Sequence, residues 1–569
     1  MSLTIHSFSP RLAATDFVAR HGVTPIAIIG LLHLAAAGLL AWYEVFPVSR
    51  VAFVLIWGLL NFFWLALLRR PAIAAALSLI LVVVVIVLSE FKFRILWMTL
   101  NFLDVMIIDA DSVAFLFTIF PQLWLIVGIA VGLIVPLLAL FWWIDPLRVR
   151  LRTAIAGMTV CFAALLALAF TVQLEPFEAF YGHNHVSNFT RSGISVVSDL
   201  MKHGFLESDP VVADRLKSSA DTVCQPAGKP PHIIMVHDES SFDIRSVPGV
   251  QVPPGYGPHF KSFDGKARQF LVEGIGGASW IAEYNVLTGL SARSFGRFSY
   301  FVTRIASGRV TRGLPNALRR CGYQTFSLYP SLGFFMSARS FQTTTGMQQF
   351  QDATDMGAKG LQPDSFFYDK ATRLIESERG KGPIFVFVYL AANHFPWSYR
   401  FRPDLMPQWQ DLDNPPAVNE YLRRQAMSAH DYTAFVTGLT QNFPGESFLI
   451  VRYGDHQPEF AAKIMEPLLD EKAVGERLMR FDPKYYTTYY AIDAINFKPV
   501  DLSSAADTLD GPYLPLVVQE AAGLPLDPSF AEQKNIFKRC AGIFYGCKGG
   551  VEARRFNRLL IDAGLIKQL

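Results

Sequence analysis

Five apolar runs crowd the first third of the chain: Pro25–Phe46, Val51–Leu68, Ala72–Leu88, Leu123–Ile144 and Ala154–Val172. Each approaches the roughly 20 residues that a helix needs to cross a bilayer. In hydrocarbon every backbone polar group must be satisfied internally, so such runs can only be helices. Beyond about residue 173 the sequence reads as water-soluble, although 51% of the whole chain is hydrophobic. An N-terminal membrane domain (1–173), a connector (174–230) and a soluble domain (231–569) are therefore expected.

The first run is too long for a cleavable signal peptide and lacks a small-residue cleavage site. Between the third and fourth runs, 94–120 is apolar but broken by Asp104, Asp109 and Asp111. It reads as an interfacial helix with a short re-entrant piece. Basic residues cluster at Arg11 and Arg20, at Arg69 and Arg70, and at Arg148, Arg150 and Arg152. Placing these in the cytoplasm satisfies the positive-inside rule and puts everything after Val172 outside. In the connector, Val186, Phe189, Ile194, Val197 and Leu200 give Tyr181–Phe205 helical spacing. That helix is expected to pack on the soluble domain; a surface helix that guides lipid is the alternative. Net charge is only +3, which gives no sign of a nucleic-acid partner.

Cys161 sits in an apolar run and reads as a buried thiol. The other cysteines, Cys224, Cys321, Cys540 and Cys547, lie in the soluble half. Cys540 and Cys547 could close a local loop, leaving Cys224 and Cys321 as a pair. Four reduced thiols is the other reading.

From Pro231 short β-rich runs alternate with helical stretches, which predicts an α/β domain with a central, mostly parallel sheet. The expected strands are His232–His237, Gln269–Gly274, Gln324–Tyr329, Ile384–Leu390, Ser447–Val451 and Tyr486–Ile492. Expected helices include Ser279–Leu290, Leu314–Cys321, Tyr368–Ser377, Ala417–Gln441 and a terminal one at Glu552–Leu565. Chemistry-bearing residues follow the strands: Glu239 after the first, Ser279 after a Gly276-Gly277 turn, His394 after the fourth, and Asp455-His456 after the fifth. Ligands of open α/β sheets bind beyond the carboxyl ends of the strands. Two carboxylates and an imidazole there suit Zn2+ or Mn2+. Ser279 at a helix start would meet backbone N–H groups that favour an anion.

The stretches HIIMVHDESSF, GGASWIAEYNVLTGL, YLAANHFPW and IVRYGDHQP, in that order after five spans, resemble lipoteichoic acid synthase and the related phosphoglycerol and phosphoethanolamine transferases. These belong to the alkaline phosphatase/sulfatase superfamily. The resemblance implies one divalent metal ion, Mn2+ or Zn2+, held by Glu239, Ser279, Asp455 and His456. It makes Ser279 both nucleophile and ligand, where many relatives use threonine. Glu283 follows it by four residues, as in lipoteichoic acid synthases, and reads as structural support. His394 matches a substrate-binding histidine able to act as general acid. Arg339, in FFMSARSF, resembles an arginine that contacts phosphate or headgroup. Relatives that transfer glycerol phosphate carry a histidine several residues upstream of that arginine, where this chain has Tyr329-Pro330, so the headgroup stays open.

Alone, each residue has a plain structural reading: Ser279 as a helix cap, Glu239 beside a strand–helix turn, His394 as a satisfied buried imidazole, Asp455-His456 as a loop pair. Jointly they mimic one site in order. Tyr329, Trp397 and Arg452 read equally as pocket lining or as packing and surface charge, and His237 and Asp238 carry no assigned role. The expected protein is a multi-pass bacterial inner-membrane transferase with a periplasmic catalytic domain, a phospholipid donor and a glycan acceptor. The rivals are a headgroup hydrolase and an inactive lipid-binding regulator of the same fold. A true sulfatase needs C/S-x-P-x-R; Cys224-Gln225-Pro226-Ala227-Gly228 lacks the arginine.

Overall fold

A computed structural model describes residues 23–567 apart from 173, 175, 217–223 and 227. Arg11 and Arg20, used above for orientation, lie outside the described residues. Contacts divide the chain into two units, one of 1–105 and 120–198, the other of 106–119 and 199–569.

In the first unit five helices are long and apolar enough to cross a membrane: Pro25–Tyr43, Pro47–Leu68, Pro71–Leu96, Leu123–Ile144 and Leu151–Thr171. Pro47 and Pro71 open their helices where a missing N–H costs nothing. The third helix runs past the expected Leu88, carrying Lys92 to a 2.8 Å ion pair with Asp104. Small residues let the second and fifth spans approach closely. A Cβ added at Gly58 would come within 2.8 Å of Cys161 Sγ, and one at Gly157 within 2.5 Å of the Phe62 ring. Cys161 is half-buried against that helix, less enclosed than an apolar run suggests.

The connector helix is His185–His203. Its start is tied to the first unit, not to the α/β domain as expected. Buried Glu44 accepts the N–H groups of Val186 and Ser187 and the Ser187 hydroxyl. Val186 and Ile194 pack with Ala52, Phe53 and Ile56. The reason is a remote cap: the helix start finds its acceptor between the first two spans.

The second unit is built on an eight-stranded sheet. The strands are β1 His232–Asp238, β2 Arg268–Leu271, β3 Gln324–Leu328, β4 Gln349–Gln351, β5 Ile384–Tyr389, β6 Phe448–Gly454, β7 Thr487–Ile495 and β8 Thr508–Asp510. Their order is β4-β3-β5-β1-β6-β7-β2-β8, and β7 runs against the rest. Ile234 and Val236 of β1, with Val386, Val388 and Ile450, pack under helices Asp364–Glu378 and Pro416–Asn442 through Phe367, Ala371, Ile375, Phe435 and Leu439. Coverage on both faces explains why β1 and β5 are continuous apolar runs. Two disulfides close in this unit, Cys224–Cys321 and Cys540–Cys547.

The contact boundaries differ from the sequence boundaries at one point that matters below. Helix Ala110–Ile119, between the third and fourth spans in sequence, groups with the sheet unit. Asp109, just ahead of it, caps the N–H of Ser112 and pairs with Arg304 of that unit.

Candidate metal and nucleophile site

Because β1, β2, β5 and β6 run in one direction, their carboxyl ends share an edge of the sheet. Glu239 follows β1 directly, and Asp455-His456 follow β6 directly. Gly454 permits this junction, since a Cβ there would sit 1.7 Å from the Ser241 carbonyl oxygen. After β2 the chain turns at Gly276, whose φ of 75° is the left-handed region that glycine enters at no cost. Ser279 then opens helix Ser279–Thr288.

Four of the expected residues meet there. The Ser279 hydroxyl donates to Glu239 Oε2 at 3.2 Å and lies 3.1 Å from His456 Nε2. His456 Nε2 is 3.5 Å from Glu239 Oε1 and 3.3 Å from Asp455 Oδ2. All four residues are at most 5% exposed. The orientation of each ligand atom is fixed from behind. Ser240 and His456 donate their backbone N–H groups to Asp455 Oδ1 at 2.7 and 2.8 Å, which leaves Oδ2 facing the cluster. His456 Nδ1–H donates to the Gln457 carbonyl at 2.9 Å, so the Nε2 lone pair faces inward.

This donor set fits a divalent cation. Carboxylates and imidazoles are packed together with no Lys or Arg side chain among them, so the only cations that can offset the buried carboxylates are the histidines or a bound ion. Asp455 Oδ2 and His237 Nε2 are 3.1 Å apart and fully buried, yet neither makes a well-aligned hydrogen bond. Burial opposes protonation of His456, but Asp455 and Glu239 outweigh it and push its pKa up. The cluster thus draws positive charge to the point where these atoms converge.

His237 is the residue the sequence reading passed over. With Glu239 and Asp455 it forms a buried group whose ligand atoms lie within 4.8 Å of one another. Its Nδ1 meets the Tyr453 hydroxyl at 2.6 Å, and its ring stacks on Tyr389 at 3.7 Å. His237 is the last residue but one of β1, two positions ahead of Glu239.

A cavity of about 260 Å³ opens beside Ser279 and Glu239. His394 lines it, as do Tyr329, Trp280, Phe335 and Tyr389. Helix Ala110–Ile119 supplies Phe115, Thr118 and Ile119 to the wall. His394 Nδ1–H donates to the Phe395 carbonyl at 2.7 Å, which leaves Nε2 as the ring nitrogen outside that bond. The loop that carries His394 is gripped by Arg424, fully buried on helix Pro416–Asn442. Its guanidinium donates to the carbonyls of His394 (2.7 Å), Pro396 (2.9 Å) and Tyr399 (3.2 Å), and to Glu420 (2.7 Å). A larger cavity of about 630 Å³ lies beside Cys224–Cys321 and contains none of these site residues.

Two expected residues stand back. Arg339 is not among those lining the cavity. Its guanidinium donates to the Phe350 carbonyl at 3.0 Å, to Asp352 at 2.8 Å and to Asp355 at 2.7 Å. Glu283, one turn beyond Ser279, is fully buried and accepts from Gln342 at 2.9 Å. Of the open cases, Tyr329 lines the cavity, Trp397 is buried against Asn393, and Arg452 is buried and paired with Asp493.

The class follows from the sheet edge and is matched independently: residues 277–482 fit the family model described as Sulfatase. That match falls within the second unit and agrees with the superfamily the motifs resemble. Among solved structures the chain is similar to the lipooligosaccharide phosphoethanolamine transferase A of Neisseria meningitidis, at 13% identity over 83% of this chain and 95% of that one, with a TM-score of 0.47. It is similar to the Streptococcus pyogenes phosphoglycerol transferase GacH, in complex with sn-glycerol-1-phosphate, at 15% identity over 60% and 92%, TM-score 0.46. The lipoteichoic acid synthase LtaP of Listeria monocytogenes aligns at 17% identity over 55% and 76%, TM-score 0.40. No curated protein matches the chain.

Proposed function

We propose that the protein is a metal-dependent transferase that moves the phospho-headgroup of a membrane phospholipid, phosphoglycerol or phosphoethanolamine, to an envelope glycan. The observation that carries this is the convergence of Ser279, Glu239, Asp455 and His456 beside a cavity that contains His394. Glu239, Ser279, Asp455 and His456 would hold one Mn2+ or Zn2+, with His237 behind Asp455. Such an ion, when bound, shields phosphate charge and lowers the pKa of a coordinated hydroxyl.

The chain's own residues account for the rest of the reaction. Ser279 Oγ passes its proton to Glu239, to which it already donates, and forms a bond to phosphorus while the bond from phosphorus to the diacylglycerol oxygen breaks, and protonated His394 gives its proton to that leaving oxygen. A phospho-Ser279 intermediate remains. The acceptor hydroxyl then gives its proton to His394 and attacks the same phosphorus, while the bond from phosphorus to Ser279 breaks and Oγ takes its proton back from Glu239. Start of the helix at Ser279 places backbone N–H groups near the developing negative charge. Arg339 acts on the headgroup through the loop it braces, because Gly333 of that loop donates to Asp352, the same carboxylate that Arg339 holds.

Five apolar helices, the distribution of arginines and the two disulfides support a multi-pass bacterial inner-membrane protein with a periplasmic catalytic domain. Mass spectrometry of envelope glycans is the test. A Ser279→Ala strain should lose the phosphoglycerol or phosphoethanolamine mass while the protein stays folded and in the membrane. Retention of that mass rejects the nucleophile. Release of free headgroup to water, with no glycan product, identifies a hydrolase.

A further inference from the structure

The cavity wall holds a residue whose place in the chain gives no hint of a role at this site. Phe115 belongs to helix Ala110–Ile119, which lies in sequence between two membrane spans. Its ring meets that of His394 edge to face, with centroids 6.0 Å apart and planes at 87°. On its other side it stacks on Phe335 at 4.4 Å and 27°. Phe335 in turn meets Trp280 at 6.0 Å and 82°, and Trp280 is the neighbour of Ser279. Trp280 is anchored by an indole N–H bond to the Tyr300 carbonyl at 2.8 Å. An aromatic arc thus runs from the nucleophile's neighbour to the histidine that must exchange a proton with the substrate.

From this geometry we propose that Phe115 is a positioning residue for His394. The inference rests on the reading of His394 as the proton donor and acceptor. Arg424 fixes the backbone of the His394 loop, and Nδ1 is tied to the Phe395 carbonyl. The bond from Nδ1 leaves the tilt of the ring about that contact to be set by its neighbours, and the imidazole is only half-buried. An aromatic edge-to-face contact has an angular preference that an aliphatic side chain of similar volume lacks. The ion pair of Asp109 with Arg304 holds the start of the helix in the sheet unit, which keeps Phe115 at this distance. Proton transfer tolerates little misplacement, so a ring free to turn lowers turnover more than it lowers binding.

The test uses the full chain in vesicles of mixed phosphatidylglycerol and phosphatidylethanolamine, with diacylglycerol release as the readout. His394→Gln, Phe115→Leu and Phe115→Tyr are compared at matched metal content and thermal midpoint. Phe115→Leu should lower kcat by roughly tenfold and leave KM within about twofold, because positioning and not binding is lost. Phe115→Tyr, which keeps the ring, should restore kcat to within about twofold of the parent. Full turnover in Phe115→Leu, an equal loss in both variants, or a loss confined to KM overturns the inference. Full turnover in His394→Gln overturns the reading it rests on, a separate result because that variant leaves Phe115 in place.

Discussion

Glu283 illustrates how one buried group can be read in two ways at once. Its carboxyl sits one turn beyond Ser279, with Oε1 accepting from Gln342 and Oε2 without a hydrogen bond. Burial pushes its pKa up to about 8, against the opposing pull of the Gln342 bond. A carboxyl whose folded pKa is raised contributes stability that is fully present below its unfolded value, and loses it as pH rises through about 8. Wild-type stability relative to Glu283→Gln should therefore fall between about pH 5 and pH 9, by an amount on the order of a few kcal/mol. Thermal midpoints of both proteins across that range check the sign; a difference independent of pH would mean the carboxyl is already ionised. The same scale shows what sequence reveals about a site. Glu239, Ser279, Asp455 and His456 were legible because each stands next to a strand end or a Gly-Gly turn. His237 was not, because a histidine inside an apolar strand looks like packing until the strand beside it is known to end in a carboxylate.

At the scale of elements, the long helix Pro416–Asn442 does more than cover the sheet. Buried Arg424 converts it into a clamp for the loop that carries His394. Lysine in its place keeps the charge but loses the planar fork that reaches several carbonyls at once. Arg424→Lys should lower headgroup transfer by about tenfold or more while metal content stays stoichiometric. Arg424→Met, which leaves Glu420 short of a partner, should cost roughly 3–5 kcal/mol of stability as well. Metal analysis beside a transfer assay separates the two effects, and unchanged transfer in the lysine variant would reduce Arg424 to a packing role. All six strands expected from the sequence are present, β1, β2, β3, β5, β6 and β7, with ends shifted by a few residues. It missed β4 and β8, each of three residues, which exist only because a neighbour offers an edge. It expected an interfacial helix with a short re-entrant piece over 94–120, and hydropathy does not say which unit a ten-residue apolar helix such as Ala110–Ile119 will join.

For the molecule as a whole, the acidic centre of the second unit sets how a bound ion feeds into stability. Glu239 and Asp455 converge with no cationic side chain in the cluster apart from the histidines. A ligand held at about 100 times its Kd stabilises a fold by roughly 3 kcal/mol. Chelation should accordingly lower the thermal midpoint and abolish transfer together, and Mn2+ or Zn2+ should restore both. A midpoint indifferent to chelator, measured by calorimetry on the full chain, would mean the four side chains do not share an ion. Cys224–Cys321 adds a cross-link over a sequence separation of 97 residues, which ties the chain ahead of β1 to the end of helix Leu314–Arg320.

Helix Ala110–Ile119 also bears on how the protein is made. It leaves the ribosome before any strand of the sheet it will join, and after three of the five spans. During synthesis its apolar side chains must wait for a partner that does not yet exist, held between two segments bound for the bilayer. Assembly of the cavity wall is therefore coupled to insertion of the apolar helices, and a polypeptide that misplaces the third or fourth of them would arrive with Glu239, Ser279, Asp455 and His456 intact and one wall of the cavity missing.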